Sequence, residues 1–420
     1  MAPVLLYGDV PAWLVLGHWE NLEVMRSPHR FSADSRNWRA VTEGLLAENS
    51  PLRPMTAWQP LVCFAEGDKH ARLRSAITES LESINSHGTR RYVTRYTNRL
   101  IDLFSAQGEA DLVTDFAEKL PALVLAQRFG IPEKDALPLG HAVRDMISGS
   151  ATAYESNGFV VEAMRELVTR KRKELDDKTE QPGKDLASLL LRHESALTDD
   201  EVREHLRHAL VAAMNTVNLI SSTLRKVLTD PRFRGSLSGG TMTLPDSLDQ
   251  VLWDDPPLAV VPTRFALCDT VLAGTQIQAG DIVMLGLAAG NVDPGIRPDL
   301  TASVHGNRSH LAFGSGVHGC PGEGMSRAIA ETGIDILLAR LPDVELAVHD
   351  SELRPVGSWL SRSLPHLRVR FTPRRPHKEA APTATAASGV LPPAVEPQSG
   401  NEPEPPTPQR RSWLMRLLRR

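Results

Sequence analysis

The segment from His310 to Gly324, HLAFGSGVHGCPGEG, is the most informative stretch of the chain. Glycines crowd ahead of Cys320, and Pro321 and Gly322 follow it before a helical pattern, MSRAIAETGIDILLARL, begins. Glycine allows a tight loop and a close approach of the backbone to a flat ligand, and proline at the first helical position is a start signal. Cys320 is therefore expected at a helix N-terminus, where the helix dipole and free N–H groups stabilise a thiolate. Such a thiolate either attacks an electrophile or binds a metal, and the spacing alone leaves both open.

The residues from Phe313 to Gly322, FGSGVHGCPG, resemble the haem-binding loop F-G-x-G-x-H-x-C-x-G of the cytochromes P-450, which are haem-thiolate monooxygenases. The resemblance implies that Cys320 is the axial thiolate ligand of the iron in haem b. It also implies that His318 donates to a haem propionate and that Phe313 packs beside the thiolate. The other fixed positions of the pattern are glycines, which are expected at the cofactor: Gly314, Gly316 and Gly322.

Two other segments carry cationic side chains in the order that the family shows. HARLR, from His70 to Arg74, resembles the H-x-x-x-R of the helix beside the haem, and Arg264 in PTRFAL resembles the arginine of a strand that meets the other propionate. Partly buried carboxylates need cationic or N–H donors, so several such residues are expected on physical grounds. The resemblance implies that His70, Arg74 and Arg264 hold the propionates. Each residue taken alone would fit a surface charge equally well.

A long helix is predicted from Thr198 to Leu228. Thr198 and Glu201 form a capping-box pattern, and the apolar periodicity that follows ends before Asp230-Pro231. A helix of this length spans about 45 Å at ~1.5 Å per residue, enough to cross a domain. The middle of the pattern is apolar nearly all round, which predicts that the helix passes through the core.

The segment from Ala212 to Thr216, AAMNT, resembles the distal-helix motif A-G-x-(Asp/Glu)-Thr of the same family. The resemblance places the Thr216 hydroxyl at the sixth coordination position of the iron, where it relays protons, with Asn215 and Ala213 beside it as catalytic-site residues. Asn215 replaces the acid, and its amide can hold water but cannot transfer a proton as a carboxylate does. Ala213 replaces a glycine that gives oxygen room. The alternative for Thr216 is a hydroxyl that bonds back to a carbonyl of its own helix.

Helical patterns dominate the chain, and β-like runs cluster at 260–274, 277–289 and 367–373. The predicted fold class is therefore mainly α with a smaller β part. The resemblance implies the cytochrome P-450 fold, with the haem between the long distal helix and the helix that follows the cysteine loop.

The chain departs from the family at a Glu-x-x-Arg pair that precedes a Pro-Pro turn. Gln250 and Trp253 stand at these two positions, and His305 replaces the arginine that completes the ion network, with Arg308 close by. The stretch resembles an actinomycete-type subgroup with Gln-x-x-Trp. Removing one partner of a buried ion network leaves the other charges buried and unpaired, which lowers stability by about 3–5 kcal/mol. A joint replacement of all the partners is therefore physically consistent. We hypothesise a substitute network of neutral groups centred on Trp253.

The composition argues against several classes of protein. Lys+Arg 47 against Asp+Glu 51 give a net charge of −4, so no basic field predicts binding to nucleic acid. The cysteines, 3 in number and far apart, argue against a disulfide framework and favour a reducing compartment. No apolar run approaches the ~20 residues of a membrane span, and the N-terminus lacks the basic region of a signal peptide. These features predict a cytoplasmic enzyme.

The chain divides into three parts by composition. Residues 1–373 have a globular composition, and the resemblance begins near Val10, so the haem domain is short at its N-terminus. Either the true start lies upstream or the domain lacks part of the substrate-access wall. Residues 374–408 are rich in Pro, Ala, Thr and Ser and are predicted to form a disordered linker. Residues 409–420, QRRSWLMRLLRR, interleave arginines with apolar residues and favour a short amphipathic helix that contacts an anionic membrane or a regulatory partner. A frayed basic tail is the alternative.

The resemblance implies a monooxygenase, which inserts one oxygen atom of O2 into a small apolar molecule. Because the sequence holds no flavin or nicotinamide fingerprint, the electrons are expected from separate proteins, a ferredoxin-type donor and its reductase. Asn215, the lost Glu-x-x-Arg pair and the basic tail favour an alternative, a haem-binding sensor or regulatory protein with little turnover. A peroxide-driven oxygenase, which needs no proton relay, is a third hypothesis within the enzyme class.

Overall fold

The computed structural model describes residues 1–47, 50, 52–84, 86–148, 152–177, 183–262, 264–304, 306–357 and 360–376. Residues Met1–His377 form one unit by their contacts. The tail predicted at 409–420 and most of the linker predicted at 374–408 lie outside the described residues, as does His305.

The described part of the chain is mainly α with a smaller β part, as predicted. Its α-helices are α1 (His18–Arg26), α2 (Arg39–Thr42), α3 (Arg53–Thr56), α4 (Gly67–Ser83), α5 (Ser86–Phe104), α6 (Lys119–Phe129), α7 (Glu133–Ser148), α8 (Ala153–Asp176), α9 (Leu186–Leu191), α10 (Asp199–Ala212), α11 (Met214–Thr229), α12 (Pro231–Ser238), α13 (Leu244–Asp254), α14 (Leu287–Asn291) and α15 (Glu323–Arg340). Its strands are β1 (Ala2–Leu6), β2 (Val10–Val15), β3 (Phe31–Ser32), β4 (Glu109–Asp111), β5 (Val260–Val261), β6 (Phe265–Ala266), β7 (Thr270–Leu272), β8 (Thr275–Ile277), β9 (Val283–Gly286), β10 (Glu345–Leu346), β11 (Val356–Gly357), β12 (Arg362–Ser363) and β13 (Arg368–Arg370).

The strands form small sheets at the margin of the helical body. The largest has the order β1-β2-β9-β5, in which β1 and β2 are an antiparallel hairpin and β2 runs parallel to β9 with Trp13 opposite Val283. A second sheet has the order β10-β13-β4. Strands occur within each of the three β-like runs of the sequence, which confirms the predicted β part.

The largest core lies among the helices, and α15 passes through it. Ile334 and Leu337 of α15 are fully buried there together with Leu120 of α6. Gly333 makes this close packing feasible, because a Cβ at that position would lie 2.5 Å from the Leu120 side chain. The helix that follows the cysteine loop is thus anchored in the centre of the fold.

The long distal helix consists of two helices, α10 and α11. The predicted extent of the helix is right, since α10 starts directly after the predicted N-cap, Thr198, and α11 ends at Thr229, shortly before Pro231. The helices separate at Ala213, whose N–H is shared between the carbonyls of Ala209 at 3.1 Å and Leu210 at 3.2 Å. This sharing tightens one turn, so the prediction of one uninterrupted helix is wrong at that residue.

Candidate active site

The cysteine loop contains two single turns of 3₁₀ helix, one on each side of Gly314. Gly314 and Gly316 both have a φ of 70°, a left-handed conformation that favours glycine. At Gly316 a Cβ would also lie 2.7 Å from the Met25 carbonyl oxygen. The Cys320 N–H closes the loop by donating to the Phe313 carbonyl at 2.8 Å. Local conformation and close packing both explain the glycines.

The helix after the loop, α15, begins later than the sequence pattern predicts. Its first residue is Glu323 and its N-cap is Gly322, whereas the proline start signal places the helix start at Pro321. The prediction is wrong because Gly322 has φ −89° and ψ 1°, so the residues after the cysteine form a turn instead. The N–H groups of Gly322 and Glu323 act to lower the pKa of the Cys320 thiol, but burial outweighs them and the pKa is raised, so these groups alone do not give the predicted stabilisation of a thiolate.

Cys320 has accessible surface, yet it is surrounded by protein. Burial raises the pKa of its thiol, whereas the N–H groups of Gly322 and Glu323 and the guanidinium of Arg74 act in the opposite direction. A thiol in this position loses its proton outright when it coordinates a metal ion.

The predicted propionate donors lie close together around the N-terminal half of α4. The rings of His70 and His318 lie 4.4 Å apart between centroids, and the Nε2 atoms of both are buried with no hydrogen-bond partner in the described residues. Oε2 of Glu66 lies 3.5 Å from His318 Nε2, and the charge of Glu66 also acts on the buried Arg264. Arg74, one turn along α4 from His70, donates to a carbonyl of the cysteine loop at 2.6 Å.

This set of donors fits haem b. Burial lowers the pKa of His70 and that of Arg264, so both groups would gain from a nearby anion. The orphaned Nε2 atom of His70 is a ring nitrogen that a carboxylate can satisfy, and His318 Nε2 already faces the Glu66 carboxylate at 3.5 Å. Cys320 supplies the sulfur that a haem iron accepts as an axial ligand. The residues present thus match a group that carries two carboxylates and an iron.

The predicted catalytic residues lie at the junction of α10 and α11. Thr216 is buried, and its Oγ1 lies 2.9 Å from Oγ of Ser326 on α15. The hydroxyl thus bonds across to the helix that follows the cysteine loop, a partner that neither prediction for Thr216 included. Asn215 and Ala213 are half-buried, and Ala213 borders an apolar cavity of about 40 Å³.

Trp253 is buried at the centre of the region that replaces the Glu-x-x-Arg pair. Its Nε1 donates to the Asn307 carbonyl at 2.8 Å. His18 stacks on the ring at 6.0 Å and 16°, and the Arg297 guanidinium lies 5.4 Å from the ring centroid. Gln250 does not join this cluster, because its side chain donates to a carboxylate on its own helix at 2.9 Å.

The hypothesis that the substitute network is neutral is wrong. Asp249, one residue before Gln250, is buried, with Arg327 Nη1 at 2.6 Å and Arg308 Nε at 3.3 Å from its carboxylate. Although burial acts to raise it, the His310 ring at 3.9 Å and the Arg327 guanidinium at 2.6 Å hold the pKa of Asp249 below its ordinary value. A buried carboxylate needs such partners, and they come from the cysteine loop and from α15. The sequence signal that could have revealed this buried carboxylate is the position of Asp249 among the apolar residues of α13.

The chain is similar to bacterial hydroxylases and monooxygenases along most of its length. It is 30% identical over 388 residues to 2-hydroxy-5-methyl-1-naphthoate 7-hydroxylase of Streptomyces carzinostaticus, which covers 88% of this chain and 92% of that protein. It is 29% identical over 371 residues to the cytochrome P-450 monooxygenase PikC of Streptomyces venezuelae, which covers 86% of this chain and 85% of that protein. The chain belongs to the cytochrome P-450 family.

Solved P-450 structures share the fold. CYP154A1 from Streptomyces coelicolor A3(2) matches with a TM-score of 0.76 at 26% identity, over 88% of this chain and 94% of that one. No protein-family model matches the chain. The cytochrome P-450 fold implied by the cysteine loop is thus confirmed.

This P-450 is a haem-dependent monooxygenase and hence an oxidoreductase. Haem b with its iron is the cofactor, and P-450 relatives use redox partners and small substrates. Because the relatives are named as hydroxylases and monooxygenases, the alternative of a haem-binding sensor is not favoured. Across the described ranges, no helix is long and apolar enough to cross a membrane.

Proposed function

We propose that this P-450 hydroxylates a small apolar molecule with fused rings, with Cys320 as the axial ligand and a separate ferredoxin-type protein as the electron donor. The observation that carries the proposal is the closed cysteine loop, in which the Cys320 N–H donates to the Phe313 carbonyl at 2.8 Å and Arg74 donates to the Gly319 carbonyl at 2.6 Å. The substrate class is supported by the relative named for a hydroxynaphthoate, a molecule with two fused rings.

Four cationic or ring-nitrogen side chains hold the cofactor by its propionates: His70, Arg74, Arg264 and His318. Phe313 packs beside the thiolate, and the Arg327 guanidinium lies 5.6 Å from its ring centroid. Gly314, Gly316 and Gly322 keep the loop backbone close to the cofactor. When bound, the haem supplies the activation of O2 and the oxidising power of the reaction.

On the distal side, Asn215 orients a water and does not itself transfer a proton, because a carboxamide does not titrate in this range. The Thr216 hydroxyl is the distal group that bears an exchangeable proton, and it also contacts Ser326 Oγ of the helix after the cysteine loop at 2.9 Å. Ala213 leaves less room for oxygen than a glycine would. The proton supply that we propose is therefore the Thr216 hydroxyl and water, with no carboxylate at position 215.

The reduced, carbon-monoxide-bound absorption spectrum tests the ligand. We expect the red-shifted Soret band that is diagnostic of thiolate ligation in the wild type, and its loss in Cys320→Ala. Cys268→Ala is the matched control, because Cys268 is also exposed but lies outside the loop. A red-shifted band that persists in Cys320→Ala would reject the assignment.

Turnover tests the electron donor. With a surrogate ferredoxin, its reductase and NADPH, we expect a naphthalene derivative to gain one oxygen atom, traced by labelled O2. Product formed equally well with hydrogen peroxide and no reductase would favour the peroxide-driven oxygenase. Consumption of NADPH without product across a panel of ring systems would contradict the hydroxylase proposal.

We place the protein in the cytoplasm, with residues 409–420 as a peripheral contact to anionic membranes. The segment alternates arginines with Trp413, Leu414, Met415, Leu417 and Leu418, the composition of an interfacial helix. Co-sedimentation with phosphatidylserine vesicles should fall when the chain ends at residue 408. Equal binding by both chains would reject the contact.

A further inference from the structure

A continuous series of five rings leads from the protein surface to the cysteine loop. Trp19 and His18 of α1 lie 5.8 Å apart between ring centroids, and His18 stacks on Trp253 of α13 at 6.0 Å. Trp253 lies 6.1 Å from His310, and His310 lies 6.0 Å from Phe313. Each distance falls within the ~4.5–7 Å that is usual for aromatic rings in contact. We call these five residues the ring series.

The two ends of the ring series have different surroundings. The inner end lies in the cysteine loop, where the Phe313 carbonyl accepts the Cys320 N–H at 2.8 Å. At the outer end Trp19 is 65% exposed, although tryptophan is on average a highly buried residue. The other ring-to-ring contacts among the described residues are separate pairs, such as Trp38 with Phe265. The ring series is thus a connection between the loop of the proposed axial ligand and water.

The middle rings of the series are held in place by hydrogen bonds. His18 Nδ1 donates to the Gly290 carbonyl at 3.2 Å, and Trp253 Nε1 donates to the Asn307 carbonyl at 2.8 Å. Burial lowers the pKa of His18, so the ring between the two indoles is uncharged at neutral pH. The Arg297 guanidinium lies 5.4 Å from the Trp253 centroid, and its charge opposes a positive charge on that buried indole.

The two indoles suit the outward transfer of an oxidising equivalent, which is the inward transfer of an electron. Indole is one of the side chains that lose an electron most easily, whereas imidazole and phenyl rings resist oxidation. Because electron transfer slows steeply with distance, Trp253 divides the path into two shorter steps. Arg297 opposes a lasting positive charge on Trp253, whereas water can accept the Nε1 proton of an oxidised Trp19. The oxidising equivalent should therefore come to rest at Trp19.

We propose that Trp19 is a second, surface site of oxidation, at which this P-450 takes single electrons from soluble phenols. The inference rests on the proposed function, because the bound haem supplies the oxidising power. Trp19 gives one electron, through Trp253, to the oxidised cofactor and its Nε1 proton to water. A phenol then gives one electron to the indolyl radical and one proton to water, and Trp19 regains its proton. With hydrogen peroxide as the oxidant, two such steps convert one peroxide and two phenols into two waters and two phenoxyl radicals.

Spin trapping locates the radical without a measurement of turnover. The holoenzyme is mixed with hydrogen peroxide and a nitrone trap, without substrate, and mass spectrometry of the peptides identifies the residue that carries the trap. We expect the adduct on Trp19 in the wild type. It should be lost in Trp253→Phe, which keeps a ring in the site but is far harder to oxidise. It should persist at position 19 in Trp19→Tyr, because tyrosine is also oxidisable.

Trp58→Phe is the matched control. Trp58 is half-buried and lies outside the ring series, between the cations of Arg36 at 4.5 Å and Lys69 at 5.2 Å from its ring centroid. Because two positive charges oppose oxidation of this indole, the variant should leave the adduct on Trp19 unchanged. An adduct on Trp19 that is equally strong in Trp253→Phe would show that the radical arrives through the solution, and would overturn the proposal.

The reduced, carbon-monoxide-bound spectrum of each variant separates this inference from the proposed function. A wild type that shows the red-shifted band but no adduct on Trp19 would overturn the inference alone. Should Trp253→Phe fail to bind haem, Trp19→Phe decides: we expect an unchanged spectrum and a loss of peroxide-driven oxidation of a phenol linked to dextran, which is too large to enter the protein. Undiminished oxidation of that phenol would contradict the proposal. If the band is missing from every variant, the haem-dependent function fails as well.

Discussion

Replacing Asp249 by Asn tests the ion cluster that stands in place of the Glu-x-x-Arg pair. In D249N the guanidinium of Arg327, which is only 12% exposed, loses the charge of its closest carboxylate. Breaking a buried pair costs about 3–5 kcal/mol, because the remaining charge stays buried. Arg327 keeps Glu323 at 2.9 Å, so we expect the lower end, a loss of about 3 kcal/mol in the free energy of unfolding. Arg308, 64% exposed, adds little to this loss.

The effect of D249N has a definite dependence on pH. The pKa of Asp249 is held below its ordinary value by His310 and Arg327, against the effect of burial. A carboxyl whose pKa is lower in the folded protein contributes stability above its unfolded pKa, near ~3.9, and loses it as the pH falls through the folded pKa. The difference in unfolding free energy between wild type and D249N should therefore be complete at pH 7 and shrink below about pH 4.

Urea unfolding of the holoenzyme, followed by far-ultraviolet circular dichroism, measures the loss. The matched control is E162Q, which removes an exposed ion pair with Arg165 and should change the unfolding free energy by less than about 0.5 kcal/mol. Adding R327M to D249N should recover part of the loss, since neither charge is then stranded. Equal urea midpoints for D249N and E162Q would refute the reasoning.

Restoring Glu at Gln250 together with Arg at Trp253 should not raise the urea midpoint, because it replaces a packed indole by a cation in a repacked site; a clear gain would contradict this. Thr216→Val and Ser326→Ala should each lower the free energy of unfolding by about 1–2 kcal/mol, and the double variant should lower it by less than the sum of the two. Strictly additive losses in urea unfolding would show that the two hydroxyls are not coupled. Gly316→Ala places a Cβ at a positive φ and against a carbonyl, so haem content per protein, read from the Soret absorbance, should drop; wild-type content would disprove the need for glycine.

Sequence patterns predicted those features whose information lies within a few residues. The capping box before α10 forms as predicted, and the left-handed φ of Gly314 and Gly316 explains two fixed glycines. Each of the two errors in the predicted helix bounds also concerns only a few residues. The break at Ala213 and the late start of α15 each depend on the conformation of a single turn, which apolar periodicity does not record.

The cysteine ligand, the family and the mainly α class could be inferred from the sequence, because consecutive residues around Cys320 specify both the loop conformation and its chemistry. The contacts that the site residues make with distant parts of the chain could not be inferred from the sequence. Asp249 meets Arg308 across 59 residues, and Thr216 meets Ser326 across 110. Such contacts join distant parts of the chain, and their energies depend on burial, which arises only when the helices pack.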